Sequence, residues 1–299
     1  MKPFVIKSII FSLLVIAFCG CLLYSFPKDP DHMMAEYEVK RDMISDPSRE
    51  ASIILLGGSG TAFGTISELM EKETGYPVIN AGLHASLGQH FILTDIMPFI
   101  RKDDILVYSP EHISFHTQDE TPVYLLMYAG IKHIGSFSIS NIANIIRQTP
   151  WVIKMQYLKA TTKSSPQDSL IYHKSLFNAR GDAVAHWEKE DSVTHFYPTV
   201  HSDYYSVNEK VCMHRICNKL KRLHCKVMLV PAPISHNLYQ RDVELLEKMD
   251  AIFDKHGLAF STAPQDYYLP DSLFYDTDYH LKKAGAERRT LETSSILKR

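Results

Sequence analysis

The chain has 299 residues, 45% of them hydrophobic and 22% charged, which is ordinary globular composition and enough for one large α/β domain or two small ones. A net charge of −2 gives no overall electrostatic reason to bind nucleic acid. Histidine is plentiful at 15, but HExxH and paired CxxC are absent, so neither a zinc site nor another cofactor is indicated.

Lys2 and Lys7 precede an uncharged stretch from Ser8 to Phe26. That is just long enough to cross a bilayer as a helix, and the positive flank places its N-terminal end in the cytoplasm. The rivals are a cleaved signal peptide, for which no small-x-small site stands out after Phe26, and a lipoprotein at Cys21, where Phe18 and Cys19 fit poorly. The expectation is an uncleaved signal anchor over residues 1–26, with the body extracytoplasmic. Residues 27–50 are polar and proline-bearing, a linker or a surface helix leading into a domain that fills residues 51–299. Of the five cysteines, Cys19 and Cys21 lie in the apolar run and Cys212, Cys217 and Cys225 in the body. An odd number gives no disulfide framework. With His214 and His224 they match no standard ligand set, so they read as buried or idle thiols.

The domain opens on four aliphatic residues, Ile53 to Leu56, the pattern of a buried parallel strand. Gly57-Gly58-Ser59-Gly60 follows, and then a helical pattern over 66–73. A hydroxyl there stands at the carboxyl end of a strand, where open α/β sheets place ligands. A plain βα turn and a glycine-rich phosphate cradle are the other readings of the same residues. A second strand over 77–80 runs into another glycine-bearing loop, Asn80 to Gly88, and a helix over about 89–100. A third strand over 105–108 ends in Ser109-Pro110-Glu111-His112.

The rhythm breaks at about 117–205, where two apolar helical stretches, 123–134 and 139–153, alternate with polar loops. They read as a helical insertion, either a subdomain with its own small core or helices lying over the active-site end against a membrane or partner. The rhythm resumes with a helix over 206–223, a strand over 226–230, a helix over 243–256 capped by Gly257, and a fifth strand over 258–261. The repeated strand–loop–helix order predicts an α/β fold: a three-layer α/β/α, flavodoxin-like sheet of about five parallel strands. The chain closes with a tyrosine-rich loop, then Asp276-Thr277-Asp278-Tyr279-His280-Leu281 and a last helix.

Three loops should therefore converge on one end of the sheet. The first offers the Ser59 hydroxyl, a poor nucleophile until a base takes its proton. The last offers His280 as that base, with a carboxylate to fix its tautomer. The backbone N–H groups of Ser59 and Gly82 are the candidate oxyanion donors. His84 and Glu111 are candidates for contacting substrate, each with a bland alternative as a polar or salt-bridged loop residue. The tyrosines at 267, 268, 275 and 279 suit either a carbohydrate groove or core packing.

Taken in order, Gly57-Gly58-Ser59, Asn80-Ala81-Gly82 and Asp276…His280 resemble the first, second and last motif blocks of the SGNH (GDSL-like) hydrolase superfamily. The likeness spans about residues 52–289, the insertion aside. It is nearest to the membrane-anchored branch that esterifies or de-esterifies cell-envelope polymers. The resemblance implies a serine esterase or O-acyltransferase with Ser59, His280 and Asp276 as catalytic residues and Ser59 and Gly82 at the oxyanion hole. It implies an envelope glycan as substrate, the membrane as a further contact, and a multi-spanning membrane acyltransferase as partner. A fold kept for binding or assembly without catalysis is the alternative. The chain departs from the family pattern in three places. Gly58 stands where aspartate is usual. The aspartate three before the histidine is Thr277, leaving Asp276 and Asp278 as candidates, with Asp278 also a possible substrate contact. The Gly-x-Asn-Asp block is missing after the third strand.

Overall fold

The computed structural model describes residues 2–25, 31–115, 139–161, 172–188, 204–266 and 268–299. Four strands, β1 (Ile53–Gly57), β2 (Val78–Asn80), β3 (Ile105–Ser109) and β4 (Lys226–Leu229), form one sheet in the order β2-β1-β3-β4. Every pairing is parallel, with Gly57 opposite Ser109 at the carboxyl end. The expected fifth strand is reduced to one parallel bridge, Phe260 to Leu229, reinforced by Ser261 N–H donating to the Leu229 carbonyl at 2.8 Å. Its neighbours explain the shortness: the chain leaves a left-handed Gly257 and re-enters a helical turn at Pro264. A separate parallel pair joins β5 (Ile234–Ser235) to β6 (Tyr268–Leu269).

Alternation along the strands builds two apolar layers. Ile54, Leu56, Leu106, Tyr108 and Leu229 face one side. There they meet α2 (Glu36–Ser45), α5 (Gln89–Ile96), α7 (Val207–Leu220) and α8 (His236–Lys255), the helices here being numbered along the chain. Ile53, Leu55, Val107 and Val230 face the other side, against Met70 of α4 (Ser67–Thr74) and Leu297 of α9 (Lys283–Leu297). Helices thus flank a parallel sheet on both faces. Successive strands lie on opposite sides of β1, so the crevice between the carboxyl ends of β1 and β3 is the topological switch point.

Residues 31–50 are not a linker. Met33, Tyr37 and Ile44 are buried at helical spacing and join the main core. At about 1.5–3 kcal/mol for each fully buried large apolar side chain, that stripe holds α2 on the sheet. The buried Lys40 lies on the same stripe, and its charge concealed the periodicity in the sequence.

The remaining helices are α1 (Lys2–Ser25), α3 (Ser59–Phe63) and α6 (Ile139–Thr161). The helix expected over 123–134 lies outside the described residues. Among the described residues no helix is long and apolar enough to cross a membrane, so the transmembrane segment expected over 1–26 is not established by the fold. The described apolar side chains of α1 stay out of the core: Phe4, Phe11, Leu14 and Phe18 are each at least 64% exposed.

Candidate active site

Ser59 is the first residue of α3, one step past Gly58 at the helix N-cap. The glycines around it serve space, not a left-handed turn, since none of Gly57, Gly58, Gly60 and Gly64 has a positive φ. A Cβ on Gly57 would lie 2.5 Å from the Ser109 carbonyl oxygen, and one on Gly64 2.4 Å from the Gly60 carbonyl oxygen. Strand β3 and the helix turn can therefore close on the serine only where no side chain intervenes. Ser59 itself is 5% exposed.

The last loop brings a carboxylate and an imidazole together. His280 Nδ1 lies 2.7 Å from Asp276 Oδ1. A carboxylate only accepts, so Nδ1 carries the proton and Nε2 is left with its lone pair. Nε2 is buried and, among the described residues, has no hydrogen-bond partner. The other Asp276 oxygen accepts the Tyr172 hydroxyl. Burial pushes the Asp276 carboxyl up, but the His280 hydrogen bond and charge and the Tyr172 bond outweigh it and hold the group below its ordinary value. The four-residue spacing works because the loop is a closed turn. Thr277 Oγ1 accepts the N–H groups of Tyr279 and His280 at 3.3 and 3.2 Å, and Tyr275 N–H donates to the His280 carbonyl at 2.8 Å.

The imidazole stacks on Phe63 with ring centroids 3.9 Å apart and planes 8° from parallel. Ser59 and Phe63 are four residues apart on α3 and share one face. The ring of His280 is thus laid against the face of the helix that begins with Ser59. Among the described residues no hydrogen bond joins Ser59 to His280 Nε2; apo sites often hold such pairs looser than the working geometry.

The other candidates lie at different depths. Asp278 is fully buried, accepts the Ser235 hydroxyl and receives the Ser235 N–H on its carbonyl at 3.0 Å, so it secures the start of α8 and does not orient His280. The Gly82 N–H, a candidate oxyanion donor, is bonded to Asn80 Oδ1 at 3.1 Å. A Cβ on Gly82 would lie 2.6 Å from Thr61 Cβ, so this glycine lets the second loop pack on α3. His84 is half-buried, and its Nδ1 accepts the Ser86 N–H at 3.1 Å. Burial, with His280 and His32 nearby, pulls it down to about 4, so it is neutral at pH 7. Glu111 is 1% exposed and accepts the Gly60 N–H at 2.6 Å. It lies beneath the serine turn, away from solvent. Burial pushes its carboxyl above the ordinary value, against the Gly60 bond and the charges of His280 and Arg289.

Four residues of this neighbourhood were not singled out from the sequence. Tyr172 and Asp182 come from the irregular middle of the chain. Asp182 accepts Ser67 N–H and Oγ at 2.9 and 2.6 Å and Asn80 Nδ2 at 2.9 Å, fastening α4 to the second loop. Lys40 Nζ donates to the carbonyls of Asn80, Gly82 and Gly181 at 3.0, 2.5 and 2.6 Å. Arg289 donates to Gly64 O at 3.1 Å and Ser109 Oγ at 2.9 Å, tying the last helix to the ends of α3 and β3. Lys40 and Arg289 share one signal, a cation at a buried position of a helix stripe. Compared with models of known protein families and with curated proteins, the chain has no match.

Proposed function

We propose that the protein is an extracytoplasmic serine esterase or O-acyltransferase acting on acyl esters of cell-envelope glycans. The observation that carries this reading is the Asp276–His280 pair, whose buried Nε2 has no partner among the described residues and whose ring stacks on Phe63 of the helix that starts at Ser59. In this mechanism Nε2 takes the Ser59 proton as Oγ attacks the ester carbonyl. Asp276 holds the tautomer and stabilises the imidazolium, and Tyr172 holds Asp276. The tetrahedral intermediate collapses to an acyl-serine as His280 returns the proton to the leaving alcohol. Water then releases the acid, or a sugar hydroxyl accepts the acyl group. The Ser59 N–H, at the first position of α3, is the oxyanion donor this scheme retains. The Gly82 N–H joins it only if the Asn80 bond is exchanged for the substrate oxygen.

The address and partners in this reading rest on the sequence resemblance and on α1, which we take as the anchor. A multi-spanning acyltransferase is the partner that a transfer reaction would draw on. The non-catalytic alternative is favoured by one specific observation: both the Gly60 and the Gly82 N–H groups already have internal acceptors. Reaction of the pure protein with a fluorophosphonate probe and an acetyl-ester chromogen separates the two. We expect Ser59 to be labelled, and Ser59→Ala and His280→Ala each to lower ester turnover by at least ~10³-fold, with Asp276→Asn falling by ~10²–10⁴-fold. Labelling that persists in Ser59→Ala, or turnover unchanged in His280→Ala, removes the mechanism.

A further inference from the structure

Helix α3 begins without the side-chain cap that helix starts usually carry. Its N-cap residue is Gly58, which makes no side-chain hydrogen bond. The ordinary solution is an Asp, Asn, Ser or Thr at that position, whose oxygen accepts the N–H of the second or third helical residue. Here the N–H of the second helical residue, Gly60, is accepted by Glu111 Oε1 at 2.6 Å. The carboxyl also fills the volume that a capping side chain would occupy. A Cβ built on Gly58 would lie 2.5 Å from Glu111 Oε1, 2.6 Å from Cδ and 2.6 Å from Oε2, and one on Gly60 3.0 Å from Oε1. The backbone of Gly58 is extended, with φ −84° and ψ −154°, so it does not itself demand glycine. What demands glycine there is the carboxyl of Glu111.

We propose that Glu111 is a cap supplied from a neighbouring strand: its carboxyl, reaching from the end of β3, takes the place of an N-cap side chain at position 58 and positions the Ser59 turn against His280. The register explains the reach. Gly57 and Ser109 are paired across β1 and β3, so Glu111 leaves its strand two residues beyond the level at which the serine turn begins. Because this carboxyl is buried and does not face solvent, it acts through the turn and not on the substrate. This inference rests on the proposed chemistry only for its functional half; the capping half stands on the turn alone.

The test is an exchange of the carboxyl between the two positions. Glu111→Ala removes the cap and leaves the Gly60 N–H without an acceptor. Gly58→Asp alone drives a side chain into Glu111. The double variant Gly58→Asp/Glu111→Ala returns a carboxylate from the other side. We expect each single variant to lower the rate of fluorophosphonate labelling at Ser59 by ~10-fold or more and to lower the melting temperature by a few degrees. We expect the double variant to recover most of both losses. A double variant no better than the worse single one, with all proteins folded by circular dichroism, overturns the proposal, as does a Glu111→Ala protein that melts and labels like the parent. Should the parent fail to label at all, the esterase reading fails, while the melting cycle still decides the cap.

A second measurement separates positioning from mere stability. Glu111→Gln keeps an acceptor for Gly60 and removes the charge. If the carboxyl works as the acceptor for the turn, Glu111→Gln should label and melt closer to the parent than Glu111→Ala does. A Glu111→Gln protein that labels as slowly as Glu111→Ala while melting like the parent overturns the positioning role.

Discussion

At the scale of single residues the site is set by what each group is denied. His280 Nε2 is denied a partner among the described residues, and His84 is denied a charge. His90, half-buried on α5, is pulled down to about 4 by burial and by Lys219 and Arg215, as His84 is by burial and its histidine neighbours. Both therefore fold neutral, while the unfolded chain titrates near the ordinary value of 6.5. As pH falls below about 6.5 the unfolded state takes up protons first, so stability falls until the folded rings also protonate near 4. Urea midpoints should drop steadily between pH 6.5 and 4. His84→Asn keeps an acceptor for the Ser86 N–H and removes the titration, so its midpoint should fall less over the same interval. An identical slope in the parent, His84→Asn and His90→Phe would assign the acid sensitivity elsewhere.

At the scale of elements, Lys40 shows how α2 serves the site it does not touch. Its ammonium is a knot between α2, the Asn80–Gly82 loop and the Gly181 turn, with the Phe177 ring 4.5 Å away. Burial pulls it down to about 7, while the charges of Glu36 and Asp182 push it back up. Three carbonyl acceptors need three N–H donors, which only the charged form supplies. Lys40→Met preserves the apolar stem and strands all three carbonyls. At about 1–3 kcal/mol for a buried group left unsatisfied, and with partial relaxation, the loss should be about 3–5 kcal/mol by urea denaturation. A loss under about 1 kcal/mol would mean that water replaces the ammonium and that the knot is not structural. The same residue marks where sequence reading stops. Strands β1 and β3 were legible because buried parallel strands are continuous aliphatic runs, and the Asp276–His280 pair because both members lie in one short loop. Asp182, Tyr172 and Arg289 were not, because each acts across more than a hundred residues of chain, and Asp182 and Tyr172 lie besides in irregular segments with no periodicity to place them. The role of Glu111 needed the β1–β3 register, which composition does not contain. Gly82 was read as an oxyanion donor from its motif, whereas its nearest physical reason for being glycine is the approach of Thr61.

At the scale of the whole molecule, the domain closes without its first helix. Among the described residues the two buried layers begin at Met33 and take no side chain from α1, which approaches the domain at α6. Helix α1 instead displays Phe4, Phe11, Leu14 and Phe18 outward, each at least 64% exposed. An apolar surface of that extent is not maintained against water in a monomer without a cover. If the cover is a bilayer, as proposed, α1 and the domain are thermodynamically separable. Removal of residues 1–30 should then leave the melting temperature within about 2 °C of the full chain in detergent, since no large core contact is lost. The shortened protein should stay in the supernatant when floated with lipid vesicles, while the full chain rises with them. A shortened protein that melts more than about 5 °C lower would show that α1 packs on the domain, and a full chain that remains in the supernatant would show that lipid is not its cover.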